Sequence, residues 1–137
     1  MTAITVHHET RDRFRISIRG HEVVVDQPPP ASDDAGPTPT ELFVASLAAC
    51  AAFYARRFLA RHGLPEGALA ISCEFTWAPD HSHVASIVLR VDVPDGVPED
   101  LESALLRSIK QCTVHESIRR VPMITFDIAK VAGAVAR

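Results

Sequence analysis

One stretch constrains this chain more than any other. Leu42-Phe43-Val44-Ala45-Ser46-Leu47-Ala48-Ala49-Cys50-Ala51-Ala52-Phe53 is apolar at nearly every position. Pro39 and Glu41 suit a first helical turn ahead of it, and Gly63 suits a helix end behind it. A helix is therefore expected from about Thr38 or Thr40 to His62. A helix that is apolar on all faces between Leu42 and Phe53 must be buried on all faces. The run is shorter than the roughly 18 apolar residues that suggest a membrane span. Protein, not lipid, is expected to cover it.

The rest of the chain offers limited cover. Arg13-Phe14-Arg15-Ile16-Ser17-Ile18 alternates with period two and reads as a strand with one wet face. Arg19-Gly20-His21 reads as a turn and Glu22 to Asp26 as a second strand, giving a hairpin. Gln27 to Thr40 is rich in proline and contains Asp33-Asp34-Ala35-Gly36, so it is expected as a loop. Ala70 to Trp77 and Val84 to Val93 read as two further strands joined at Asp80-His81-Ser82-His83. Pro98-Glu99-Asp100 starts a helix with acidic residues at its positive end, and Leu101, Leu105 and Ile109 form its apolar stripe. Thr113-Val114-His115-Glu116 has the spacing of a capping box, which places Cys112 just outside a short helix. Met123 to Ile128 reads as a last strand, with a fraying tail. Strands, helices and strands in blocks make the class α+β with antiparallel pairing. A two-stranded hairpin cannot cover a helix apolar on all sides, and a second copy of the chain is the simplest further cover.

Length and charge narrow the function. A chain of 137 residues fits one domain, 1–137, and buries enough surface to fold without staples. A net charge of −3 leaves no basic footprint, so nucleic acid is not an expected partner. No charged-then-apolar segment opens the chain, so no secretion leader is expected and the setting reads as cytoplasmic. Three cysteines there argue for catalytic, sensing or inert thiols rather than a structural disulfide.

Cys50, inside the apolar helix, and Cys112, at a helix start, are the constellation that points to a chemistry. The helix start offers N–H donors that favour a Cys112 thiolate. Cys50 is expected to be buried and needs a cation or base from elsewhere. Phe43, Ser46, Leu47, Phe53, Tyr54 and Arg57 share roughly its face, which makes an apolar pocket with Ser46 and Tyr54 as polar handles. Glu41 is nine residues earlier and about half a turn out of phase. Spacing alone favours Cys50 as inert core, because buried free cysteine commonly behaves as a small hydrophobe. Cys73 reads as strand packing, and His7, His8 and His115 read as surface residues. His81-Ser82-His83 offers two metal donors without a third, so it reads as a solvated turn, and no metal or cofactor is expected.

Two motifs change that balance. Gly36-Pro37-Thr38-Pro39-Thr40-Glu41-Leu42 followed by Ala45-Ser46-Leu47-Ala48-Ala49-Cys50 resembles the OsmC/Ohr family of osmotically induced and organic hydroperoxide resistance proteins. Arg19-Gly20-His21 with Asp26-Gln27-Pro28 is similar to the stretch leading into that motif. Cys112-Thr113-Val114-His115-Glu116-Ser117-Ile118 is similar to the family's second cysteine motif. The likeness spans about residues 11–128.

The resemblance implies an OsmC-like fold, with antiparallel sheets around two central helices in an intertwined homodimer whose sites lie at the subunit interface. It implies that Cys50 is the peroxidatic cysteine and Cys112 the resolving one. Organic hydroperoxide would be the substrate and an external dithiol the reductant. It implies an activating arginine held by a glutamate. Arg11 aligns with that arginine, with Arg13 and Arg15 close by. The family's hydroperoxide reductases carry the glutamate ten residues before the cysteine, where this chain has Thr40, and Glu41 comes one residue late. Thr113 replaces the usual proline. A non-peroxidase OsmC-like redox sensor, or a binder of a small apolar electrophile using the same thiols, is the alternative.

Overall fold

The computed structural model describes residues 3–133. Three strands open the chain: β1 (Ile4–Thr10), β2 (Arg13–Ile18) and β3 (His21–Val25). They form an antiparallel sheet in the order β1-β2-β3. The expected hairpin is β2–β3, which turns at Arg19 and Gly20 with φ of 50° and 84°. Glycine takes the second of these at no steric cost. β1 lies outside the expected hairpin. Its apolar residues Ile4 and Val6 stay exposed, so burial gives it little support within one chain.

The loop from Asp26 to Thr38 leads back to the core. Asp26 has no exposed surface, and its carboxylate accepts from the N–H groups of Gln27 at 2.8 Å and Ala35 at 2.9 Å. Burial alone would raise this carboxyl. The hydrogen bonds from Ser32, Ala35, Gln27 and Asp33 outweigh it and lower the pKa to about 2. Gly36 lies so close to Val24 that any side chain would meet the Val24 carbonyl. The Asp26 N–H closes the loop on Pro37 O at 3.1 Å. The Gly36-Pro37 motif is thus a close approach of loop to strand, which only glycine permits.

The Asp26 network predicts a specific acid response. A folded pKa below the unfolded value of about 3.9 means that the ionised form stabilises the fold. This contribution is complete above the unfolded pKa and fades as pH falls towards 2. Asp26→Asn keeps the shape but exchanges an acceptor oxygen for an N–H donor. Its urea midpoint is expected to be lower than wild type at pH 7, with the gap narrowing between about pH 4 and pH 2. A gap independent of pH over that window would remove the assignment.

Helix α1 (Pro39–Arg61) follows. Thr38 is its N-cap, with Oγ1 accepting from Glu41 N at 3.1 Å, while Glu41 Oε1 accepts from Thr38 N at 2.8 Å. Pro39 takes the first turn, where its missing N–H costs nothing. Gly63, with φ of 64°, ends the helix as expected. Beyond it come β4 (Ala70–Trp77) and β5 (Val84–Asp92), antiparallel with Cys73 opposite Leu89. Then come α2 (Glu99–Lys110) and the short α3 (Thr113–Arg119). The core forms where α1 meets α2 and the β4–β5 hairpin. Ala55 and Leu59 are fully buried there against Leu105 and Ile109, two members of the expected stripe.

Two expectations are corrected. α1 is not buried all round within one chain. Val44, Leu47, Ala51, Ala55, Phe58 and Leu59 make one buried face at helical spacing, while Phe43 and Phe53 are 44% and 54% exposed. At its full 23 residues α1 is also long and apolar enough to cross a membrane, although its buried face packs on protein. The second correction concerns Met123 to Ile128, which forms no strand. Met123 and Phe126 are over 90% exposed, and among the described residues no strand pairs with the segment. The N-terminal sheet likewise packs mainly within itself, while α1 packs on α2, β4, β5 and α3. The last residues, 134–137, where fraying is expected, lie outside those described.

Candidate active site

Helices α1 and α3 bring the two expected thiols together. Cys112 is itself the N-cap of α3, with its Sγ accepting from His115 N at 3.4 Å. Thr113 is the first helical residue, so the expected capping box from Thr113 to Glu116 does not form. The small, buried sulfur takes the cap because it also fills the core. The Thr113 side chain is thereby freed to accept from or donate to Tyr54 Oη across the α1–α3 contact, at 3.1 Å. A proline at 113 could not make that bond.

Burial of the two sulfurs is the reverse of the expectation. Cys112 has no exposed surface, whereas Cys50 is half-buried. Burial pushes the Cys112 thiol up, and the neighbouring Cys50 raises it further by hydrogen bonding and charge. The N–H groups of His115 and Val114 pull the other way and do not compensate. The helix start therefore does not make Cys112 a thiolate, because desolvation of the sulfur outweighs two N–H donors. All three cysteines are free thiols. Cys73 lies half-buried on β4 opposite Leu89.

The remaining expected site residues are distributed more widely. Leu47 is buried and Phe43 partly exposed, and both line a cavity of about 330 Å³ bounded by β5 and α3. Ser46 is exposed and donates to Phe43 O of its own helix at 2.7 Å. Phe53 carries the Arg57 guanidinium over its ring at 5.4 Å and meets Tyr54 edge-on. Arg11 sits at the β1–β2 turn with φ of 48°. Its guanidinium holds Asp33 at 2.6 Å and the carbonyls of Pro30 and Ala31 at 3.0 and 3.1 Å. Arg13 pairs with Glu9, and Arg15 bridges Glu9 and Glu22. Among the described residues neither Arg11 nor Glu41 is hydrogen-bonded to Cys50. At the β4–β5 turn, Asp80 accepts from Ser82, whose hydroxyl meets His83, and the described residues hold no cluster of three metal donors.

His115 is the residue that sequence reasoning reads as surface. It stands beside Cys112, with ring Nδ1 at 2.7 Å from Lys110 O. The signal was its place three residues after a cysteine at a helix start, the position whose N–H a cap binds.

This arrangement, a thiol on a long helix facing a second at the start of a short one, defines an α+β protein with a paired-cysteine centre. The chain belongs to the OsmC-like protein family, whose sequence profile matches residues 32–127. Comparison with curated proteins returns no match. Among solved structures, the fold is similar to the OsmC like protein of Mycoplasma pneumoniae, with TM-score 0.75 and 15% identity over 88% of this chain and 89% of that one. It is also similar to an organic hydroperoxide resistance protein OsmC of Legionella pneumophila, with TM-score 0.64 and 17% identity over 87% and 89% of the two chains. The organic hydroperoxide resistance protein OhrB of Bacillus subtilis gives TM-score 0.60 and 16% identity over 87% and 90%. At these identities the likeness establishes the fold.

Proposed function

We propose that this chain reduces organic hydroperoxides with the Cys50/Cys112 pair, as a cytoplasmic homodimer that is not bound to membrane or nucleic acid. The observation that carries the reading is that a half-buried Cys50 neighbours a fully buried Cys112. The Cys50 thiolate attacks the peroxide oxygen, the O–O bond breaks, and the alkoxide leaves and takes a proton to become the alcohol. Cys50 is now a sulfenic acid. Cys112 attacks its sulfur, hydroxide leaves with the Cys112 proton as water, and a disulfide forms. An external dithiol supplies the two electrons and two protons that restore both thiols.

The environment of Cys112 suits this order. Its raised pKa keeps it protonated while Cys50 meets the peroxide, so it can donate a hydrogen bond to the Cys50 thiolate. Once Cys50 is a neutral sulfenic acid, its charge no longer opposes ionisation of Cys112. The apolar side chains Phe43 and Phe53 favour an organic peroxide over hydrogen peroxide. Arg11 is the proposed activating cation, presented to Cys50 by the N-terminal sheet of the second copy. Glu41 has one carboxylate oxygen on the α1 cap, and its other has no partner among the described residues and can hold an arginine.

Intact mass after one equivalent of cumene hydroperoxide tests the reading. A loss of about 2 Da, mapped to a Cys50–Cys112 bridge with Cys73 still alkylatable, is expected. Unchanged mass, or an oxidised Cys50 beside an alkylatable Cys112, would remove it. One observation favours the sensor or electrophile-binder alternative, namely that Arg11 already has three acceptors. Under that alternative the disulfide forms once and dithiol drives no further peroxide loss.

A further inference from the structure

Leu47, Leu89 and His115 line two neighbouring cavities. The outer one is the space of about 330 Å³ between α1, β5 and α3, into which Ala85 also faces. The inner one, about 180 Å³, ends on Cys112 and is otherwise walled by Ala51, Ile109 and Lys110. Cys50 lines neither. His115 stands at their junction, anchored through Nδ1 to Lys110 O. Cys112 itself exposes no surface. His115 lines both spaces, so a rotation of its ring about the side-chain bonds is the movement that would join them.

We infer that the joined cavities are the entry route of the dithiol reductant, gated by His115, and that the reductant attacks the Cys112 sulfur. This rests on the disulfide proposed above. The first reductant thiolate bonds to Cys112 Sγ, the Cys50–Cys112 bond breaks, and Cys50 leaves as thiolate. The second reductant thiol then attacks the reductant sulfur of the mixed disulfide and expels Cys112. The reductant leaves as a disulfide, its two protons passing to the protein thiols. Attack at the other sulfur is not offered by this route, because the inner cavity ends on Cys112 and Cys50 lines neither space. Peroxide thus meets the half-exposed Cys50 directly, and the reductant meets Cys112 through the His115 route.

The gate is read without any peroxide chemistry. In a Cys50→Ser/Cys73→Ser background, iodoacetamide reports only on Cys112. His115→Ala is expected to speed its alkylation about tenfold by opening access to the sulfur. His115→Phe, which keeps the bulk, should change it less than about twofold. Val97→Ala, a core truncation away from the route, controls for general loosening and should leave Cys112 protected. Equal acceleration in Val97→Ala and His115→Ala, or none in His115→Ala, would overturn the gate. With the disulfide preformed, Ala85→Trp in the outer cavity is expected to slow re-reduction by dithiothreitol about tenfold. Unchanged re-reduction there would overturn the reductant route. Failure of the disulfide itself to form would count against the proposed function, and the alkylation rates would still decide the gate.

Discussion

Cys50→Ser protein is expected to consume tert-butyl hydroperoxide at least about a thousandfold more slowly than wild type in the presence of dithiol. A serine hydroxyl is far too weak an acid to present an anion to the peroxide oxygen, and among the described residues no base is hydrogen-bonded to residue 50. Cys112 cannot take over, because burial and its raised pKa keep it protonated and out of reach. Cys112→Ser is expected to differ in kind. Its first oxidation at Cys50 proceeds, but the sulfenic acid has no resolving partner and either waits for an external thiol or is oxidised further. A trap for sulfenic acid should label Cys112→Ser protein and leave Cys50→Ser unlabelled. Turnover retained in Cys50→Ser, or labelling of both variants, would sink the assignment of roles. The removal of Cys73 should leave turnover near wild type.

Much of this centre was legible before any coordinates. The Gly36-to-Cys50 and Cys112-to-Ile118 motifs name the two thiols, and the structure brings those two together. The burial of the thiols was not legible. An apolar run shows that a helix must be covered, not which of its residues face this chain and which face outward. Cys50 falls at the margin of the buried face of α1, beside Ala51, while Cys112 caps α3 from inside the core. The capping role of Glu41 was not legible for a similar reason. Thr38-Pro39-Thr40-Glu41 has the same capping-box spacing as Thr113 to Glu116, and it is the first of the two that forms the box. Glu41 therefore holds the start of α1, and this fixes its position one residue late. Arg11 is readable as a cation but not as a loop clamp, because its partners Pro30, Ala31 and Asp33 are about twenty residues away in sequence. Such pairing depends on tertiary placement, which local pattern does not carry.

The strongest remaining expectation concerns a second copy. One chain leaves Phe43 and Phe53 of α1 outward, and Ile4 and Val6 on a sheet that packs mainly on itself. It also leaves Met123 and Phe126 on an unpaired extended segment. Exposed apolar side chains on three elements offer a surface that a second copy can cover. The wild-type chain is accordingly expected to sediment at twice its 14.9 kDa. Phe53→Glu places a charge where the aromatic ring now meets Tyr54 and the Arg57 guanidinium. Loss of a central aromatic anchor costs about 2 kcal/mol or more, roughly thirtyfold in the dimer dissociation constant. The variant should still fold, because Phe53 belongs to the exposed face of α1 and not to the Ala55–Leu59 core. Peroxide turnover is expected to fall with the dimer fraction, since the cation for Cys50 is proposed to come from the second copy. Turnover that stays constant as the protein is diluted into monomer would show one chain sufficient and remove Arg11 of the second copy from the mechanism. A wild-type chain that sediments as a stable monomer would remove the dimer itself.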